Sequence, residues 1–300
     1  MTPTAERPAV LFGEAMIELS DVEGARCRLG VAGDTYNTAV YMARRGVAVS
    51  YATALGDDPF SERILAALRR ERIGVETVVR LPGQTPGVYA IEVDADGERR
   101  FTYWRSASAV RSFFKGDAAA EAIARMRAAP LLYLSGITLS LFDDEARARI
   151  ASIAAAVRAA GGDVAFDTNY RPAGWPSPPA ARDAVAAISP HVSIALPTFD
   201  DERALHGDET PETTAARWRD AGVEEVVVKH GAEGVFAARL GWRPPPAALR
   251  PVDTTGAGDS FNGAYLGVRS RGGSLEEAIA AGHDTAARVL MTPGAILPTD

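Results

Sequence analysis

The residues with the clearest chemical content form one run near the C-terminus, Val252-Asp253-Thr254-Thr255-Gly256-Ala257-Gly258-Asp259-Ser260-Phe261. Gly256 and Gly258 permit a tight turn that brings backbone N–H groups close to an anion. Phe261, Ala264, Tyr265 and Val268 follow at the spacing of one apolar helical face. A glycine turn that opens a helix gathers free N–H donors and the positive end of the helix dipole, a setting suited to phosphate. Asp259 lies inside that turn. Its carboxylate cannot ligate a phosphate, since both are negative, but it can take the proton of a hydroxyl attacking beside it. An anion cradle with an adjacent base is equipment for moving a phosphoryl group from a nucleotide to an alcohol. The glycines alone are explained equally well as turn punctuation, with Asp259 a first-turn carboxylate favoured by the dipole. The sequence has no G-x-x-x-x-G-K-[ST] and no G-x-G-x-x-G after a strand pattern.

The elements that must position this run alternate along the chain. Residues 9–13 read as a first strand, and 34–45 as a helix with Tyr36, Ala39, Val40 and Ala43 on one face, closed by Gly46. Asp58-Pro59 reads as an N-cap and first-turn proline before Ile64, Leu65 and Leu68. Strand patterns at 131–135, 164–167, 192–196 and 225–229 follow, separated by helical patterns, and Ser274 with Glu277 forms a capping box for a helix over 275–290. This order predicts an α/β fold with a parallel, doubly wound sheet whose ligands bind beyond the carboxyl ends of the strands. Residues 16–31 and 87–105 instead alternate with period two, with Asp94-Ala95-Asp96-Gly97 as a hairpin turn, and predict a small antiparallel sheet projecting from the body.

A chain of 300 residues can bury a sizeable core. A net charge of -7 argues against a dedicated nucleic-acid binder. Cys27 is the only cysteine, which rules out an internal disulfide and a thiolate metal cluster, and the four histidines show no metal-ligand spacing. No apolar run reaches transmembrane length and the first eight residues lack a signal-peptide core, so the expectation is a cytoplasmic protein with no membrane partner.

The run 252–261 resembles the C-terminal signature of the ribokinase-like (pfkB) carbohydrate kinases. Within that family, further strings resemble the 2-keto-3-deoxygluconate kinases: Gly13-Glu14-Ala15-Met16-Ile17-Glu18-Leu19, Ala32-Gly33-Asp34-Thr35-Tyr36-Asn37-Thr38-Ala39, Phe101-Thr102-Tyr103-Trp104-Arg105, Leu132-Tyr133-Leu134-Ser135-Gly136, Phe166-Asp167-Thr168-Asn169-Tyr170-Arg171-Pro172 and Ala281-Gly282-His283-Asp284-Thr285-Ala286. The likeness runs from about residue 10 to residue 298. It implies one kinase domain over 1–300, with a β lid formed by about 16–31 and 87–105.

The resemblance also assigns roles. Asp259 is implied as the base, with the Gly256, Ala257 and Gly258 turn stabilising charge. Gly33, Asp34 and Asn37 would bond sugar hydroxyls, Tyr89 and Tyr103 would line the pocket, and Arg105 and Arg171 would hold an acid end. An arginine fork suits a carboxylate because it offers two parallel charge-assisted hydrogen bonds. Without the resemblance, Tyr89 and Tyr103 read as sheet packing and the arginines as solvated surface. Lys229, Gly231, Gly234, Asn169 and Thr255 are implied at the nucleotide and its phosphates, and His283 near its base. ATP and Mg2+ are the expected cofactors, the charge of the ATP phosphates needing neutralisation. Many relatives carry an Asn-x-x-Glu pair that organises water around magnesium. Here the corresponding stretch is Thr198-Phe199-Asp200-Asp201-Glu202, which leaves the register of the acidic residue open. The small-molecule partners expected are a sugar acid and ATP, and a homodimer through the lid is the expected assembly. A fructokinase or ribokinase specificity, a kinase that also takes the galactonate epimer, and a sugar-binding protein without catalysis stand as the alternatives.

Overall fold

The computed structural model describes residues 7–23, 26–93, 99–246 and 250–298; the hairpin turn expected at 94–97 and residues 1–6 lie outside the described residues. The body begins with β1 (Ala9–Phe12). The chain then leaves the body as β2 (Met16–Glu23) and β3 (Arg26–Ala32), and returns through α1 (Asp34–Arg44), β4 (Val49–Leu55), α2 (Pro59–Arg70) and β5 (Val78–Arg80). It leaves again as β6 (Val88–Val93) and β7 (Arg99–Trp104). The second half runs α3 (Ala120–Arg127), β8 (Leu131–Ser135), α4 (Gly136–Ser140), α5 (Asp144–Ala159), β9 (Asp163–Asp167), α6 (Pro178–Ile188) and β10 (Ile194–Ala195). It ends with α7 (Phe199–His206), α8 (Pro211–Asp220), β11 (Glu225–Lys229), β12 (Val235–Ala237), β13 (Gly241–Arg243), α9 (Ala257–Arg269) and α10 (Leu275–Leu290).

The main sheet has the order β13-β12-β11-β10-β9-β8-β1-β4-β5. It is parallel from β11 to β5, and β12 and β13 fold back antiparallel at one edge. The body strands are apolar almost throughout because both faces are covered. Val10, Phe12, Leu132, Leu134, Val164 and Phe166 face a core shared with α3, α5, α6 and α8. Their neighbours in register, Leu11, Tyr133, Ala165 and Val227, face a second core under α1, α2, α9 and α10. Each fully buried Leu, Phe or Val contributes roughly 1.5–3 kcal/mol. The strand expected over 192–196 is in the ladder only at Ile194–Ala195.

The helix starts are built as the sequence requires. The Asp58 carboxylate accepts from Phe60 N and Ser61 N, with Pro59 at the first position of α2, and Ser274 and Glu277 cap α10 reciprocally. The lid consists of two antiparallel hairpins, β2–β3 and β6–β7, joined along a parallel seam between β2 and β6. One face of the lid seats Ile17 on the body core, while Met16, Ala32, Tyr89 and Ile91 gather on the other. No helix among the described residues is long and apolar enough to cross a membrane.

Candidate active site

Most of the residues picked out above meet at the carboxyl ends of the body strands. Ser135 ends β8, Asp167 ends β9 and Lys229 ends β11, while α1 and α9 begin there with Asp34 and Ala257. The turn before α9 takes the form its glycines predict. Gly256 has φ 73°, a left-handed conformation, and a Cβ on it would lie 2.6 Å from Ala295 Cβ. A side chain there would be strained twice over, so glycine is required. On the opposite wall, a Cβ on Gly33 would lie 2.2 Å from the Glu14 carbonyl oxygen, which is why the chain can pass so closely into α1.

Asp259 stands in the first turn of α9. Asn37 Nδ2, one turn into α1, donates to its Oδ2 at 2.9 Å. Burial, and then the negative charge of Asp34, push the Asp259 carboxyl up to about 7, with Asn37 and Lys229 pulling the other way. A base poised near neutrality is what proton abstraction from an alcohol calls for. Asp34 accepts hydrogen bonds from Ser135 Oγ and from Asn169 Nδ2, the latter at 3.3 Å, and its own carboxyl is raised chiefly by burial. Asn169 is held with φ 35°, an unusual conformation for a side-chain-bearing residue, and its N–H donates to Asp167 Oδ1 at 3.2 Å.

Beside the glycine turn the cleft carries a buried ammonium. Lys229 Nζ lies 2.7 Å from Asp167 Oδ2 and donates to Asn262 Oδ1 at 2.9 Å. It also lies 3.7 Å from where a Cβ on Gly258 would be, which puts the ammonium beside the glycine turn. Gly231 and Gly234 form the turn between β11 and β12, so the hairpin reading of that segment holds. Thr255 N donates to Asp253 Oδ1 at 2.8 Å, which ties the turn down from below. His283 on α10 stands edge-on to Phe261, 5.6 Å between ring centres, and burial lowers its pKa.

The lid supplies the aromatic wall. The Tyr89 and Tyr103 rings are 5.6 Å apart, the Tyr89 hydroxyl donates to Glu18, and Tyr103 is exposed. The two rings pack on the face of the sheet that also carries Glu18, as the sheet-packing reading has it. The negative charge of Asp259 acts on Tyr89, and the positive charge of Arg171 acts on Tyr103, so this face of the lid looks into the cleft. Arg105, just past β7, is ion-paired with Glu14, whose carboxyl is raised by burial despite that partner. Arg171 reaches Asp201 with Nη1 alone, at 3.1 and 3.2 Å to the two oxygens, and the same nitrogen donates to the Tyr170 carbonyl. Among the described residues its Nε and Nη2 make no hydrogen bond. Both arginines thus border the cleft with a protein carboxylate already beside them.

Sequence reasoning gave no role to Glu14, Asp167, Asn262 or Tyr133, although all but Asn262 stand inside quoted strings. Asn262 carried a usable signal: it is a polar residue three after Asp259 on a helix whose inner face is otherwise apolar. The acidic side chains of 198–202 take separate settings. Asp201 pairs with Arg171 at the cleft, whereas Glu202 is fully buried against Thr168, Arg217 and Trp218. A cavity of about 580 Å³ lies at the opposite, amino end of the sheet, lined by Arg7, Pro130, Asp163 and Arg271 among others. No residue assigned a role above lines it.

One family model, that of the pfkB family carbohydrate kinases, matches residues 7–300. This chain belongs to the pfkB family of carbohydrate kinases. It is 41% identical over 300 residues to the 2-dehydro-3-deoxygluconokinase of Escherichia coli (strain K12), covering 97% of both chains. The 2-dehydro-3-deoxygluconokinase of Dickeya dadantii (strain 3937) is also 41% identical over 300 residues, covering 97% of this chain and 96% of that one. Among solved structures, the PfkB protein from Polaromonas sp. JS666 superposes with a TM-score of 0.82 at 31% identity, covering 94% of each chain. The pfkB membership and the ribokinase-like sheet agree with the architecture expected from the sequence.

Proposed function

We propose that this kinase transfers the γ-phosphoryl group of ATP to the terminal (C6) hydroxyl of 2-keto-3-deoxygluconate, giving 2-keto-3-deoxy-6-phosphogluconate. The observation that carries the reading is the Asp259 carboxylate, fixed by Asn37 at the amino end of α9 between the glycine turn and the arginine-bearing lid. Two relatives of that name at 41% identity over nearly the full chain support the substrate.

In this reading the sugar acid lies between α1 and the lid, with its carboxylate toward Arg171 and Arg105 and its hydroxyls toward Gly33, Asp34 and Asn37. Arg171 retains Nε and Nη2 for a bidentate contact, since Asp201 takes only Nη1. Asp259 accepts the proton of the terminal hydroxyl as the oxygen attacks. The N–H groups of Ala257, Gly258 and Asp259 stabilise charge on the transferring group. Tyr89 and Tyr103 cover the reacting centre and keep out water, which would otherwise compete as acceptor. Lys229, Gly231, Gly234, Asn169 and Thr255 lie along the nucleotide, with His283 toward its base.

No group of three or more His, Cys, Asp or Glu that could cage a metal occurs among the described residues. That composition fits Mg2+, which needs only one or two carboxylates beside substrate phosphates and water. Asp201, which meets only Arg171 Nη1 among the described residues, is the carboxylate that would hold it, and the ion would supply neutralisation of phosphate charge.

The test is ADP release over a panel of 2-keto-3-deoxygluconate, its galactonate epimer, gluconate, fructose and ribose. The expected result is a kcat/KM for the keto-deoxy sugar acids at least about 10²-fold above the neutral sugars, the loss when charged partners go unpaired being of that order. A preference for fructose or ribose would replace the sugar-acid reading with a neutral-sugar one. Absence of ADP release with every member would leave a binding protein without catalysis.

A further inference from the structure

Asp167 and Asn262 make a buried polar constellation that the roles above leave unexplained. Asp167 is 3% exposed, Asn262 0% and Lys229 7%. Placing a carboxylate and an ammonium this deep is costly unless every remaining lone pair and proton is satisfied. Here the partners converge on one centre and take two of the three ammonium protons, leaving one donor among the described residues. Asp167 Oδ2 receives Lys229 Nζ at 2.7 Å and Asn262 Nδ2 at 2.7 Å, while Oδ1 receives the Asn169 N–H. Asn262 turns its carbonyl to Lys229 at 2.9 Å, and its amide reaches Tyr133 Oη at 3.1 Å as well as Asp167.

Two features argue against simple packing. The trio of Asp167, Lys229 and Asn262 comes from three separate elements, the ends of β9 and β11 and the second turn of α9, and a salt bridge is a poor device for merely joining them. The ammonium also projects to the mouth of the anion cradle, 3.7 Å from a Cβ built on Gly258. A lysine on a flexible four-carbon stem reaches a single point only when its head is held. Asp167 neutralises the charge without occupying the cradle, and Asn262 orients the head without adding a second charge.

We propose that Asp167 and Asn262 are positioning residues for phosphoryl transfer, holding the Lys229 ammonium at the amino end of α9 to receive an oxygen of the transferring group as negative charge spreads over it. This rests on the reading of the Gly256–Asp259 turn as the phosphate cradle. Lys229 is then a catalytic residue, and its effect falls on turnover in addition to nucleotide binding. The same constellation sets the electrostatics of the base. The groups that face or act on Asp259 are Asp34 and Tyr41 from α1, Tyr133 from β8, Asp167 from β9, Arg171 just beyond it, Lys229 from β11 and Tyr89 from the lid. Among these Asp167 raises the Asp259 carboxyl and Lys229 lowers it.

The experiment compares Asp167→Asn, Asn262→Leu and Lys229→Met with Asp259→Asn and the wild-type chain, reading kcat, both KM values, the pH dependence of kcat/KM and thermal unfolding. Asp167→Asn and Lys229→Met are expected to lose about 10²-fold in kcat, the cost of removing one preorganised donor, with KM for the sugar acid within about threefold. Asn262→Leu should lose about tenfold in kcat by the same argument, since the charge stays but its position does not. In Asp167→Asn the acid limb of the pH profile should move to lower pH, and in Lys229→Met to higher pH. Neither displacement follows from loose packing. If all three variants keep kcat within threefold while Asp259→Asn is inactive, the positioning role is wrong and the kinase reading stands. If kcat falls only in step with lost thermal stability, and the acid limb stays in place, the constellation is a packing pair and the proposal is overturned. A wild-type chain that releases no ADP with any sugar would remove the parent reading instead. Should Asp167→Asn fail to fold, the opposite-signed limb shift and kcat loss in Lys229→Met decide the matter.

Discussion

Replacing Asp259 with Asn should produce two opposite effects, a large loss of activity and a gain in stability that appears only at high pH. The stability term follows from the raised carboxyl. Its pKa moves from 3.8 to about 7, chiefly through burial and then the charge of Asp34. About three units at 1.36 kcal/mol each is roughly 4 kcal/mol against the ionised form, and the partial opening of the site to solvent halves that to about 2 kcal/mol. The sign is set by linkage. A carboxyl with a folded pKa above its unfolded value costs nothing at low pH, where it is protonated in both states. The cost grows as pH rises from about 4 to about 7 and is complete above. Asparagine avoids that cost and keeps a partner for Asn37. Thermal unfolding of the ligand-free chain at pH 8 should therefore place the variant about 4 °C above wild type, with most of the gap gone at pH 4.5. In the same samples kcat should fall by roughly 10²–10⁴ while KM for the sugar changes little. A variant no more stable than wild type at pH 8, or a gap independent of pH, would show that the carboxylate is not held uphill. Near-normal turnover would remove Asp259 from the mechanism.

Two further substitutions probe the walls of the cleft. Arg171→Ala removes the free Nε and Nη2 donors and should raise KM for the sugar acid by about 10- to 100-fold, the value of one charge-assisted pair, with KM for ATP little changed; steady-state titration of each substrate checks this, and an unaltered sugar KM means the carboxylate binds elsewhere. Gly256→Ala forces a Cβ to 2.6 Å from Ala295 Cβ at φ 73° and should cost roughly 1–3 kcal/mol in denaturant unfolding while weakening ATP binding. A variant with native stability and native ATP affinity would mean that the turn does not need its left-handed residue.

Much of the fold could be read along the chain because its signals are local. The N-cap at Asp58, the capping box of Ser274 and Glu277 and the stop at Gly46 depend on residues three or four apart, and all appear as expected. The lid strands were legible from their alternation. Their pairing was not: β2 lies parallel to β6, Ile17 opposite Val88, and alternation is the same for either direction. The short ladder at Ile194–Ala195 has the same cause, since the apolar run is set locally and its length in the sheet by its neighbours.

The sequence by itself determined the chemistry on offer: a glycine turn with Asp259 at a helix start, an apolar strand ending in Lys229, and two arginines flanking the strands and lid. Residue type and short spacing suffice for these, because turn geometry, helix dipoles and side-chain functional groups are properties of a few consecutive residues. Only the tertiary structure decided how those groups are poised. The Asp259 carboxyl is raised to about 7 because folding buries it and sets Asp34, 225 residues away, beside it, with Asn37, 222 residues away, pulling the other way. Lys229 acquires Asp167 and Asn262, and Asp201 rather than Glu202 turns to the cleft. Charge and solvation act through space over a few ångströms, and which residues come within that reach is fixed by how helices and strands pack, not by their order in the chain.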